Sequence, residues 1–217
     1  MLFSQILLQL LSGFGVTVQI FAVTLVLSLP LGMLVAFGRM SKNTVLRTLV
    51  SIYISVMRGT PLMLQLICVY FGPYYIFRVS FGPGYRMIAI FIAFAINYAA
   101  YFGEIFRSGI QSMPLGQYEA AQILGYSKTQ TFFSIVLPQV IKRIIPAVTN
   151  EVITLVKDTS FAFTLSVMEM FTAAKALAAG QTSMVPLFAA GVFYYIFNYA
   201  VAFVMDLFEK RLSYYRS

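Results

Sequence analysis

The chain has 217 residues, 60% hydrophobic and only 10% charged, with a mean hydropathy of +0.84, a composition that excludes an ordinary soluble domain and turns most of the surface toward lipid or other apolar helices. It contains no His and one Cys, which excludes Ser-His and Cys-His nucleophilic catalysis, imidazole zinc sites and a disulfide framework. The net charge of +8 is scattered between apolar runs rather than gathered in a patch, as orientation signals are and a nucleic-acid surface is not.

A membrane-spanning helix needs about 20 mostly apolar residues, and five runs meet that length, covering roughly 12–37, 49–77, 87–107, 141–165 and 185–208. No basic residue precedes the first run, and "GRMSKNTVLR" follows it with Arg39, Lys42 and Arg47. Its start is therefore expected outside, and without the basic n-region of a cleaved signal peptide the run stays as a helix. The second run contains "MRGTPLMLQL", where Gly59 and Pro61 predict a bend or a restart. Cys68 lies in the same run and reads as a packing residue. "FGPYYIFRVSFGPGYR" (71–86) holds two Gly-Pro breaks and several aromatics, which predicts an external hairpin anchored at the headgroups.

On the third run Asn97, Tyr101, Glu104 and Ser108 recur at helical spacing and form one polar stripe. The tract after it, about 112–139, is mostly polar. Pro114 suits the first turn of a short helix over "PLGQYEAAQIL", and Gly125 is a stop because glycine takes the left-handed conformation without steric penalty. Ser127 and Gln130 make a capping box, and the helix they start carries "TFFSIVL" until Pro138, which is expected to end it. A helix, a turn and a second helix thus stand on the cytoplasmic side. Ala120 and Ala121 offer a small-residue surface to a docking protein, with Glu119 to orient it; an amphipathic helix lying on lipid is the alternative.

On the fourth run Asn150, Thr154 and Lys157 form one stripe, and Glu151 with Asp158 forms another about 100° round the helix. Asn198 marks the fifth run, and the C-terminal "EKRLSYYRS" adds Lys210, Arg211 and Arg216. Ten Lys and Arg then fall on the cytoplasmic side against Arg78, Arg86 and Lys175 outside, while Arg58 and Lys157 sit in or near the membrane. This asymmetry places the N-terminus outside and the C-terminus in the cytoplasm. No internal repeat or linker appears, so residues 1–217 read as a single transmembrane domain.

The fourth stretch in this series carries a resemblance. Glu119-Ala120-Ala121, Gly125, Ile135 and Leu137-Pro138 match the "EAA" loop of permease subunits of bacterial ATP-binding-cassette (ABC) importers. "RGTPLMLQL", "GEIFRSGIQSMPLGQYEAA" and "VKDTSF" resemble the polar amino-acid branch, which includes histidine, arginine and glutamine importers. The resemblance implies an all-α integral membrane protein with five transmembrane helices and a cytoplasmic coupling helix, the type I importer permease fold. It also implies a permease pair, with a second copy or a similar chain, two ATPase subunits that hold ATP and Mg, an extracytoplasmic substrate-binding protein, and a bacterial cytoplasmic (inner) membrane. Glu119, Ala120, Ala121 and Gly125 would couple to the ATPase. The chain itself carries no Walker-type phosphate loop, so it is expected to be no enzyme and to bind no cofactor or metal.

Polar faces on several spans cannot all point into lipid, and turned toward one another they would line a cavity near mid-membrane. Glu104 and Glu151 are candidates to receive the cationic side chain of an arginine, lysine or histidine, because carboxylates bind guanidinium by strong bidentate bonds. Asn97, Tyr101, Asn150 and Asn198 would hold the rest of the amino acid. Two alternatives stand beside this. Glu104 could pair with Arg107 or Arg58 as a structural ion pair, and the substrate could be glutamine or another neutral polar amino acid. Lys157 and Asp158 read as neutralising charges within the bundle. Gly103, Gly109 and Gly191 read as points of close helix approach, including across a dimer interface. An autonomous ion-coupled transporter or channel is disfavoured by five spans without inverted repeats, and an intramembrane enzyme by the lack of His and metal-spacing motifs.

Overall fold

The computed structural model describes residues 3–82 and 84–212, and every regular element within them is helical. Arg216 and its neighbours in the C-terminal basic tract lie outside the described residues. α1 (Phe3–Arg39) has 37 residues, about 55 Å at 1.5 Å per residue and well beyond the hydrocarbon core of a bilayer. It starts earlier than residue 12 because Ile6 and Leu10 extend its packing face, both buried against Met170, Ala174 and Ala190.

α4 (Tyr85–Gln111) is the central helix. Phe94, Tyr98, Phe102 and Phe106, four apart, fall on one side of it and are nearly or fully buried. α1 lies against α4 more extensively than any other pair of helices meets, and glycine makes that approach possible. A Cβ on Gly103 would fall 2.6 Å from Val35 Cγ1, and one on Gly32 2.8 Å from Phe102 Cβ. Gly109 packs in the same way against Ile144, whereas nothing lies within 4 Å of a Cβ on Gly191.

The second apolar run is two helices, α2 (Thr44–Gly59) and α3 (Leu62–Phe77), whose axes meet at 113°. Asn43 caps α2 by accepting from the backbone N–H of Val45 and Leu46. At the break, Pro61 has no N–H and Gly59 offers no side chain to hold a helix together. The carbonyls freed there need partners inside the membrane. Gln65 supplies them: its Nε2 donates to Met57 O at 2.9 Å, Thr60 O at 3.2 Å and Thr60 Oγ1 at 2.8 Å. Asn97 Nδ2 of α4 donates to Met57 O at 3.1 Å and to Gln65 Oε1 at 2.9 Å. Tyr53 also reaches α4, donating its hydroxyl to Ile96 O.

The first Gly-Pro pair of the expected hairpin is not a break. α3 runs through Gly72 and Pro73 to Phe77, and the connector begins only at Arg78, in the left-handed region at φ 59°. Pro73 cannot donate to the carbonyl four residues back, that of Val69, and the Tyr85 hydroxyl donates to it instead at 3.0 Å.

The polar tract folds as α5 (Leu115–Ile123), the turn at Gly125 with φ +78°, and α6 (Lys128–Gln130) with its capping box of Ser127 and Gln130 formed in both directions. Pro138 does not end the helix. A π-helical segment, Thr131–Val136, leads directly into α7 (Leu137–Asp158), where Pro138 stands in the first turn. The wider turn bonds the Leu137 N–H to Phe132 O, five residues back, and so relieves the clash that a proline ring makes with the carbonyl four residues before it.

A 3₁₀ segment (Thr159–Leu165) follows α7, then α8 (Met170–Gln181) and α9 (Val185–Leu212). α8 occupies the tract between the fourth and fifth apolar runs. Glu169 caps it, fully buried: its carboxylate accepts from Phe171 N, Thr172 N, Thr172 Oγ1 and the Tyr194 hydroxyl of α9. Among the described residues four helical stretches are long and apolar enough to cross a membrane, five if the bent α2–α3 pair counts as one span.

Candidate functional site

α4 and α7 diverge around a cleft of about 450 Å³, closed on a third side by the end of α2. Of the stripe expected on α4, Tyr101, Glu104 and Ser108 line this cleft. Opposite them stands Glu151 of α7. A second, smaller cavity of about 250 Å³ continues from it beside the α2–α3 break, lined by Asn97, Tyr101, Glu151, Thr154 and Asp158 among others. α7 thus presents Glu151, Thr154 and Asp158 to the cavities. Those positions cut across the two stripes expected from helical spacing, since Thr154 joins the acidic pair while Asn150 and Lys157 are exposed and line neither cavity. Asn198 lies on α9, away from both cavities, with its Oδ1 buried and unpartnered.

Three guanidinium groups share the cleft with the two carboxylates: Arg58, Arg107 and Arg143. Arg107 holds Glu104 in a two-bond ion pair, Nε to Oε1 at 3.0 Å and Nη2 to Oε2 at 2.7 Å, the geometry that makes such pairs strong. Arg143 donates to the carbonyl of Ser112 and to its hydroxyl, the latter at 3.0 Å, tying α7 to the end of α4. Arg58 lies over the Tyr101 ring, 5.3 Å from its centroid. Glu151 makes no side-chain hydrogen bond or ion pair among the described residues.

The deeper cavity is more committed. The Tyr98 hydroxyl donates to Asp158 Oδ2 at 2.7 Å. Both amide protons of Asn97 go to the α2–α3 break, leaving its Oδ1 to accept. The Glu104–Arg107 pair is the structural alternative that helical spacing offers for Glu104, whereas Arg143 carries only a topology signal in the sequence, because a cation near a span end reads that way whatever it touches. Gln65 gave no signal beyond being a polar residue in an apolar run. Glu169 was legible as an acidic cap ahead of the Ala-rich "FTAAKALAAG".

At the end of the bundle where α1 and α4 finish, α5 projects from the helices. Its apolar side chains are unusually bare: Leu115 is 76% exposed, Ile123 85% and Leu124 73%. Glu119 and Ala120 share the exposed surface, while Ala121 is buried and takes part in anchoring the helix. Leu115, Ile123 and Leu124 thus leave an uncovered apolar patch at α5, rimmed by polar residues.

Residues 28–214 match the family described as binding-protein-dependent transport system inner membrane component. The chain is 34% identical over 207 residues to a putative glutamine transport system permease protein, GlnP, of Rickettsia typhi, covering 95% of this chain and 94% of that protein. It is 37% identical over 224 residues to the octopine transport system permease protein OccM of Rhizobium radiobacter, covering 96% and 87%. Among solved structures it superposes with a TM-score of 0.83 and 29% identity, over 94% of each chain, on a chain of an amino acid ABC transporter crystallised with histidines.

Proposed function

Because the chain belongs to the binding-protein-dependent transport system inner membrane component family, we propose that it is the permease subunit of an ATP-driven importer and that a polar amino acid crosses along the α4–α7 cleft. The observation that carries this reading is the cleft's charge: an unpaired carboxylate, Glu151, facing the guanidinium of Arg58. A zwitterion matches that arrangement, its ammonium group at Glu151 and its carboxylate at a guanidinium, and a low-dielectric cleft strengthens both contacts. Glu104 is already neutralised by Arg107, which favours a neutral polar side chain such as that of glutamine, named for one relative. The second reading is a basic amino acid, arginine, lysine or histidine, whose side chain takes the place of Arg107 at Glu104; the neighbouring structure with histidines supports it.

The working assembly is a pair of permeases, here two copies of this chain, with two ATPase subunits carrying ATP and Mg. α5, with Glu119, Ala120, Ala121 and the Gly125 turn, docks on the ATPase, and an extracytoplasmic binding protein delivers the amino acid. The basic residues at the α5 end support a cytoplasmic position for that end and an N-terminus outside. Tyr101 lines the cleft where the amino acid passes, and Asn97 offers it one acceptor. Asn150 is exposed away from the cavities and available to the partner permease.

The test is uptake into proteoliposomes holding the complete transporter, with labelled glutamine and unlabelled competitors. ATP-dependent glutamine uptake that excess arginine leaves intact supports the neutral reading; suppression by arginine but not by asparagine supports the basic one. Uptake of neither, with an active ATPase, refutes both.

A further inference from the structure

The two cavities along the cleft are stacked, and Tyr101 and Glu151 are the residues they have in common. One chamber, beside Ser108, Ser112 and Arg143, lies toward the α5 end of the bundle. The other, beside Thr60, Thr154 and Asp158, lies deeper, next to the α2–α3 break. Between them the Arg58 guanidinium covers the Tyr101 ring at 5.3 Å.

Arg58 is the last side chain of α2 before the break, because Gly59 carries none. Its backbone neighbour, Met57, is clasped from both α3 and α4 through Gln65 and Asn97. The guanidinium lies over the ring within the field of Glu104 and Glu151 but closes no hydrogen-bonded ion pair with either, a weaker hold than the bidentate pair that fixes Arg107. A rigid anchor next to a loosely held cation is the arrangement of a part that swings.

We propose that Arg58 and Tyr101 form the constriction of the transport path: two positioning residues that separate the inner chamber from the deeper one, and part when a carboxylate draws the guanidinium off the ring. This rests on the reading of the α4–α7 cleft as the path. The pair opposes passage by size and by charge, since a cation over a ring blocks another cation, while the carboxylate end of a zwitterion competes for the same guanidinium. A substrate entering carboxylate first would open the way for itself.

The experiment measures access and needs no knowledge of the substrate. In a Cys68→Ser background, Thr154→Cys places a thiol in the deeper chamber and Ser112→Cys one in the inner chamber. The complete transporter in inside-out vesicles is treated with a charged, membrane-impermeant methanethiosulfonate, and the rate of modification is followed. Thr154→Cys is expected to react slowly, and addition of Tyr101→Ala or Arg58→Ala to speed it by about tenfold or more, the scale of losing one such contact. Tyr101→Phe keeps the ring and is expected to keep the slow rate. The Ser112→Cys thiol reports a folded bundle by reacting at one rate throughout. Fast modification of Thr154→Cys with the pair intact, or equal rates with Tyr101→Ala and Tyr101→Phe, overturns the constriction. If the rates follow expectation while the transporter moves no amino acid, the assigned function fails and the constriction stands.

Discussion

Glu104 and Arg107, one turn apart on α4, close a two-bond ion pair with 2.7 Å between Nη2 and Oε2 while both side chains remain about a quarter exposed to the cleft. The pair is a neutral unit as long as both members are present. Arg107→Ala leaves a half-buried carboxylate without its partner and is expected to destabilise the assembled transporter by about 1–2 kcal/mol, partial exposure holding the loss below that of a fully buried pair. Adding Glu104→Gln to Arg107→Ala removes the orphaned charge and restores most of the loss. Thermal unfolding of the three variants in detergent reads this cycle.

Glu151 has the opposite standing, a carboxylate that closes no ion pair and stands between two cavities, with Arg58 in the same cleft. Glu151→Gln is expected to lower amino-acid uptake by about tenfold or more, as loss of one charge-assisted contact does, with assembly and basal ATP hydrolysis unchanged. Glu104→Gln is expected to leave glutamine uptake within about threefold of wild type, because Glu104 already serves Arg107. Initial rates in proteoliposomes separate the two.

The Tyr85 hydroxyl stands in for the hydrogen bond that Pro73 cannot give to Val69 O. Tyr85→Phe leaves that carbonyl unmet and is expected to cost about 1 kcal/mol. In a Pro73→Ala background the helix can supply its own donor, so there Tyr85→Phe becomes nearly neutral. The coupling between the two sites, measured as a double-mutant cycle of thermal stability, should approach the whole single-site loss.

α8 rests on α1 through a glycine. A Cβ on Gly13 would stand 2.8 Å from Met170 Cα, a backbone atom with little freedom to yield. Gly13→Ala is therefore expected to destabilise by about 1–3 kcal/mol. Gly191→Ala, in open space within α9, is expected to be neutral or slightly stabilising through helix propensity. Melting temperatures of the two variants test the contrast.

Much of this architecture was legible in the residues. Apolar runs of spanning length located the membrane helices, and the capping box at Ser127 and Gln130 formed where its spacing required. The prolines were misread at two places for one reason: Pro73 and Pro138 stay inside helical structure because a tertiary partner, Tyr85, and a local π turn absorb the missing hydrogen bond and the clash. Neither remedy has a sequence signature within a few residues. The candidate site was legible in type but not in phase. Helical spacing put Tyr101, Glu104 and Ser108 on one stripe, and they share a cleft, yet on α7 Thr154 lines a cavity with Glu151 and Asp158 while Asn150 lines none. Helix rotation is set by packing, here Gly109 against Ile144, and packing is a property of two elements at once. The Glu104–Arg107 pair was legible as one of two alternatives for Glu104, whereas Arg143 carried only a topology signal, and its place in the cleft appears only in three dimensions.

The central claim is that this chain works as a membrane subunit driven by a separate ATPase through α5. The most direct measurement is purification of the tagged protein from its native membrane in mild detergent, quantifying the nucleotide-binding subunit that accompanies it, for wild type and for Ile123→Asp, a change at a side chain 85% exposed on the docking surface. The account predicts an ATPase in amounts equal to the wild-type chain and its loss from Ile123→Asp, with the permease itself still folded by its unfolding temperature. Recovery of wild type without any ATPase, or equal recovery from both proteins, would contradict it.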